Sequence, residues 1–184
     1  MKKIIKIGAI VLCFAVFLAV CTLLYNKLSV GYENKPKSTV NEKEEKPMAR
    51  DAAIEDQDGT EVKLLSLIDK PTIVNFWASW CSPCKREMPD FQKTYEKYKD
   101  QINFVMINMT DGVRETKEDG RTFIQEQGYT FPTFYDTRQE AARTYSVSSI
   151  PTTFFINKEG KIMAKGSGTL REQDIEEAIQ QILD

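Results

Sequence analysis

Trp80-Cys81-Ser82-Pro83-Cys84-Lys85 places two cysteines three positions apart, just downstream of the apolar run Thr72-Ile73-Val74-Asn75-Phe76-Trp77. The run reads as a buried strand, apolar on both faces. It delivers the first cysteine to the start of a helix expected over residues 81–98. There Met88, Phe91, Tyr95 and Tyr98 recur at spacings of three and four. At a helix start the unpaired N–H groups and the positive end of the dipole favour thiolate over thiol. The thiolate is the attacking species in thiol–disulfide exchange. Pro89 falls inside the helical pattern and is expected to kink it.

Outward from this centre, residues 53–56 and 62–64 flank the turn signal Gln57-Asp58-Gly59 and are expected to pair as a hairpin. Ser66 is placed to cap a short turn. Residues 102–108 read as a second buried strand, and residues 116–127 as a helix ended by Gly128. A short strand over 133–135 and a short helix over 140–145 follow. Strands over 152–157 and 161–165 are joined at Glu159-Gly160, and a last helix, capped by Thr169, runs through Leu183. Strand and helix alternate early, and a hairpin and helix close the chain. The expected fold class is therefore α/β, with helices flanking a central mixed β-sheet.

The 184 residues suffice for one core-bearing domain plus an appendage. A net charge of −2, from 25 basic and 27 acidic residues, gives no sign of a nucleic-acid partner. The absence of histidine removes Ser-His-Asp and Cys-His catalysis and any His-ligated zinc. Of the four cysteines, Cys13 and Cys21 lie in an apolar run, where cysteine behaves as a small hydrophobe. Cys81 and Cys84 lack the two further thiolates a zinc site within one chain requires, so no metal and no other cofactor is expected. A structural staple across so short a loop gains little chain entropy, which favours a redox-active pair.

Lys2, Lys3 and Lys6 precede an uncharged run over residues 7–25. As a helix it would span about 28 Å, close to the hydrocarbon thickness of a bilayer. Its end lacks the small-x-small pattern of a cleavage site, so residues 1–25 read as an uncleaved signal anchor. Leu18-Ala19-Val20-Cys21 looks like a lipoprotein processing site but departs from it at Val20. The basic N-terminus stays cytoplasmic, which puts the C-terminal domain outside a single-pass cell-membrane protein. Residues 26–50, polar and aperiodic, read as a flexible linker holding the domain some 25–30 Å from the bilayer.

Phe76-Trp77-Ala78-Ser79-Trp80-Cys81-Ser82-Pro83-Cys84-Lys85, with Pro89 in the same helix and Ile150-Pro151-Thr152 before a strand, resembles the thioredoxin superfamily. Within it the chain looks most like the membrane-anchored ResA/TlpA group. The N-terminal anchor, the run Cys81 to Pro89 and the added segment around residues 111–136 carry that likeness. The resemblance implies a thioredoxin-like domain over residues 51–184, with an N-terminal hairpin and an inserted segment. It implies that Cys81 attacks the substrate disulfide and that Cys84 resolves the mixed disulfide. It implies a cis Pro151 beside the dithiol, with the backbone of Ile150 pairing with the substrate chain. Trp80 and Pro83 would form part of the substrate platform. Glu87, one helical turn beyond Cys84, would tune the dithiol; the alternative is a surface glutamate pairing with Lys85, Arg86 or Gln92. Asn75 stands where thioredoxins carry a buried aspartate. An amide cannot exchange protons, so a proton role there passes to Glu87, passes to water, or lapses.

No cationic residue lies between the cysteines. A mild thiolate and a potential of about −250 mV are therefore expected, marking a reductant. The partners expected are a disulfide-bearing extracytoplasmic client, such as apocytochrome c in cytochrome c maturation, and a membrane thiol–disulfide electron donor. A disulfide oxidase or isomerase, and a tethered binding module with an inert disulfide, are the alternatives. A peroxidase is set aside because no Thr-x-x-Cys with a nearby arginine occurs in the expected arrangement.

Overall fold

The structure, a computed structural model, describes residues 17–21 and 46–183. The chain divides into two units, Met1–Glu33 and Asn34–Asp184. Of the first, residues 17–21 are helical. The rest of the anchor read over residues 7–25, and most of the linker read over 26–50, lie outside the described residues. Among the described residues no helix is long and apolar enough to cross a membrane.

The second unit is built on seven strands: β1 (Ala53–Glu55), β2 (Glu61–Lys63), β3 (Thr72–Trp77), β4 (Asn103–Asn108), β5 (Thr133–Tyr135), β6 (Thr152–Ile156) and β7 (Ile162–Ser167). Four helices accompany them: α1 (Ser82–Tyr98), α2 (Lys117–Gln127), α3 (Glu140–Thr144) and α4 (Glu172–Leu183). The strands form one mixed sheet in the order β2-β1-β5-β4-β3-β6-β7. β3 sits inside it, parallel to β4 and antiparallel to β6. A central strand must be apolar on both faces, and every residue of β3 is buried.

Period-2 alternation divides β3 between two cores. Ile73 and Trp77 pack with Met88 and Phe91 of α1, Ile124 of α2 and Ile175 and Ile179 of α4. Val74 and Phe76 face the other way, onto Ala141 and Ala142 of α3, Tyr145 and Leu64. Helices thus cover both faces, as the α/β expectation required. Helix α1 runs unbroken through Pro89.

Some local expectations shift. Ser66 lies inside a 3-10 turn, Leu64–Leu67, and its hydroxyl donates to the Lys63 carbonyl; it does not cap the turn's start. Thr169 does not cap α4. That helix begins at Glu172, and the Asp174 carboxylate accepts the Arg171 N–H at 3.0 Å. The Leu170 N–H is spent on a buried carboxylate, and the Thr169 hydroxyl donates to the Pro83 carbonyl at 3.3 Å, so residues 169–170 are held out of the helix. Residues 46–50, at the end of the stretch read as linker, lie along β7. The Ile162 N–H donates to the Pro47 carbonyl at 2.8 Å, the Ala49 N–H to the Gly160 carbonyl at 2.7 Å, and Ala49 is buried.

Candidate active site

The sheet and α1 bring the two cysteines to an edge of the first core. β3 ends at Trp77, whose carbonyl accepts the Met109 N–H at 2.8 Å, and a tight turn leads to Cys81. Cys81 is the N-cap of α1, with extended backbone dihedrals of −79° and 102°. Ser82 and Pro83 follow as the first helical residues, where proline loses no helical hydrogen bond. The Cys84 N–H donates to Cys81 Sγ at 3.2 Å. A sulfur in the position of a capping oxygen therefore receives one of the helix's unpaired donors. When the pair is reduced, that contact and the dipole favour a thiolate at Cys81.

The two sulfurs are joined in a disulfide, with Cα atoms 5.2 Å apart. Cys84 is fully buried, whereas Cys81 is 3% exposed and opens on a groove of about 520 Å³. Trp80, Pro83, Met109, Val147 and Ile150 line the groove with it. The Ile150–Pro151 bond is cis, and the Ile150 carbonyl oxygen lies 3.7 Å from Cys81 Sγ. The structure therefore gathers Trp80, Cys81, Pro83 and Ile150 around one opening; Pro151, joined to Ile150 by the cis bond, is buried and does not line it.

Glu87 is fully buried, one turn beyond Cys84 on α1. Its Oε1 accepts the Asn75 amide N–H at 2.9 Å, and its Oε2 accepts the Leu170 N–H at 2.9 Å. Burial raises its pKa from 4.5 to about 8, outweighing those two donors; the nearby Asp90 charge adds to the rise. Pairing with Lys85, Arg86 or Gln92 at the surface does not occur; Gln92 bonds Glu96 and Thr130 instead. Asn75 also donates to Thr153 Oγ1 at 2.9 Å, across the β3–β6 register that sets the two residues opposite each other. Its own Oδ1 is buried without a partner among the described residues.

A second buried carboxylate, Glu115, escaped the sequence reading. Its Oε1 accepts the Ser79 N–H at 2.8 Å and the Asn108 amide at 2.6 Å, and its Oε2 accepts the Ser79 hydroxyl at 2.7 Å. It thereby fixes the turn that carries Trp80 and Cys81. No local pattern marks it, because its partner Ser79 is 36 residues away. Among the described residues no three His, Cys, Asp or Glu side chains converge as a metal-ligand set.

Comparison with known proteins agrees with this geometry. Residues 46–165 match the AhpC/TSA family. The chain is 34% identical to the thiol-disulfide oxidoreductase ResA of Bacillus subtilis (strain 168) over 160 residues, which is 85% of this chain and 83% of that protein. Among solved structures it is similar to StoA from Bacillus subtilis, at a TM-score of 0.62 and 28% identity, covering 72% of this chain and 98% of that one. It is also similar to the pneumococcal exposed lipoprotein thioredoxin of Streptococcus pneumoniae, at a TM-score of 0.63 and 26% identity, covering 72% and 99%.

Proposed function

The chain belongs to the AhpC/TSA family and is a ResA-like, thioredoxin-fold thiol–disulfide oxidoreductase, and from that premise we propose a membrane-anchored reductant of disulfides in extracytoplasmic client proteins. Apocytochrome c, whose paired cysteines must be reduced before haem attachment, is the client class this reading favours. A thiol–disulfide donor in the membrane would return the electrons. The uncharged run over residues 7–25, with lysines before it, supports the anchor.

One observation carries the reading. The groove meets Cys81 while Cys84 is fully buried, which supports Cys81 as the attacking sulfur and Cys84 as the resolving one. In the proposed cycle the Cys81 thiolate attacks a client sulfur and a mixed disulfide forms. The other client sulfur leaves and takes up a proton. Cys84 then loses its proton and attacks Cys81 Sγ, which restores the intramolecular disulfide and frees the second client thiol. Two electrons pass from the dithiol to the client. Glu87 is the proton carrier in this scheme: it is buried one helical turn beyond Cys84, and burial raises its pKa to about 8, in the range of a thiol. The backbone at Ile150 pairs with the client chain, and Trp80, Pro83 and Pro151 shape its seat.

Replacing Cys84 with Ala in the full-length protein tests the proposal. The variant is expected to retain its client as a mixed disulfide through Cys81, released by a reductant. No trapped species from the variant would leave only an inert crosslink. Redox-buffer equilibration decides direction: a potential of about −250 mV marks a reductant, and one of about −120 mV an oxidase.

A further inference from the structure

Arg114 has no place in the dithiol cycle, yet the fold holds it on the ring of Trp80, the residue before Cys81. It lies in the loop between β4 and α2. Asp111 Oδ1 accepts the backbone N–H groups of Val113, Arg114 and Glu115 at 2.8, 2.7 and 3.0 Å. The next residue, Glu115, is buried and bonded to Ser79, two positions before Cys81. The loop is thus tied down on both sides of Arg114. The Arg114 guanidinium carbon sits 3.7 Å from the centroid of the Trp80 ring, and Trp80 is 42% exposed at the mouth of the groove. A guanidinium engaged on a ring face keeps N–H donors for a second partner. Among the described residues no carboxylate lies within ion-pair distance of it. Asp111, which lines the groove and feels its charge, takes the three backbone donors on Oδ1. At the tip of the same loop Val113 is 88% exposed.

A guanidinium held on an aromatic ring at the mouth of the groove, with Asp111 near it but no carboxylate in an ion pair with it among the described residues, is placed to receive an anion. The loop's own hydrogen bonds already fix the backbone at Arg114, which lowers the ordering cost of binding. We propose that Arg114, stacked on Trp80, is a specificity-determining residue that receives an acidic side chain flanking the client's disulfide; this rests on the thiol–disulfide reading above. The partner it fits is a protein segment in which Asp or Glu adjoins a disulfide-bonded cysteine, with Val113 offering an apolar contact next to the charge. The ion pair would form in the mixed disulfide and in the encounter that precedes it, and would therefore raise the rate of client attack.

The test uses the reduced full-length protein and three synthetic peptides. Each holds one intramolecular disulfide, and they differ only in having Glu, Gln or Lys on both sides of the first cysteine. Stopped-flow rates of reduction are compared for the wild type and for Arg114→Gln, Arg114→Lys and Arg114→Glu. The wild type is expected to prefer the Glu peptide over the Gln peptide by about threefold to fivefold, the upper part of the range for an exposed ion pair. Salt at about 0.5 M should shrink that preference. Arg114→Gln should bring the ratio to about one, Arg114→Lys should keep part of it, and Arg114→Glu should turn it toward the Lys peptide. A wild-type ratio of one overturns the proposal, as does a ratio that survives in Arg114→Gln. An equal slowing of all three peptides in Arg114→Gln overturns it too, because the charge would then act on the Cys81 sulfur. A wild type that reduces none of the peptides overturns the exchange reading and this proposal together. A wild type that reduces all three alike overturns this proposal alone.

Discussion

Glu87 should make the protein lose stability as the solution turns alkaline, and replacing Glu87 with Gln should remove that loss. The carboxyl is buried between α1, β3 and the loop before α4, and its pKa rises from 4.5 to about 8. Between those two values the folded chain keeps a proton that the unfolded chain has released. Stability must then fall as pH rises through the window, and the full loss is reached above pH 8. Integrating from pH 5 to pH 9 gives about 4 kcal/mol, a large part of a typical domain's stability. Glutamine has nearly the same shape and cannot ionise. Its carbonyl can take the Leu170 N–H, and its N–H₂ can meet Asn75 Oδ1, which is unpartnered in the wild type, if that amide turns. The assay is urea unfolding of the oxidised protein at pH 5, 7 and 9. The wild type should decline by about 4 kcal/mol relative to Glu87→Gln across that range. Parallel pH profiles for the two proteins would refute the reasoning, because they would mean the carboxyl is already ionised inside the fold or reaches water.

The loop that supports the motif makes further predictions. In Glu115→Ala, Ser79 and Asn108 lose a charged acceptor they share, at a cost of about 3 kcal/mol by thermal unfolding, and peptide reduction should slow because the turn carrying Cys81 loosens. In Gly120→Ala the new methyl would meet the Asn108 Nδ2 at 2.7 Å and its Cγ at 3.0 Å. Asn108 is buried and bonded to Glu115, so it cannot yield freely, and a loss of about 1–3 kcal/mol is expected in the same measurement. In Leu170→Ala a fully buried side chain of the first core is truncated, and a loss of about 2–5 kcal/mol is expected by urea unfolding.

The elements that could be read from the chain are those whose signals are local. β3 shows itself because a strand buried on both faces has nowhere to put a charge. The start of α1 shows itself because the cysteine spacing, Pro83 and the apolar repeat coincide. Gly128 stops α2 in a left-handed conformation, with φ of 69°, as its position after the helical pattern implied. The resemblance supplied what local pattern could not, notably the pairing of Ile150-Pro151 with the dithiol across the sheet. Long-range hydrogen bonds hid the remainder. Thr169 has the look of a cap, but the claims of Glu87 on Leu170 and of Pro83 on Thr169 displace the helix start. Residues 46–50 are polar enough to pass for linker until β7 supplies backbone partners. Glu115 resembles any loop glutamate, and only the turn before Cys81 gives it a buried role.

The central claim is that one sulfur attacks while the other waits. Its most direct measurement is residue-resolved alkylation of the fully reduced protein at neutral pH, read by peptide mass spectrometry over time. Cys81, at the helix cap and open to the groove, should be modified at least about tenfold faster than Cys84. Equal rates, or faster modification of Cys84, would contradict the account.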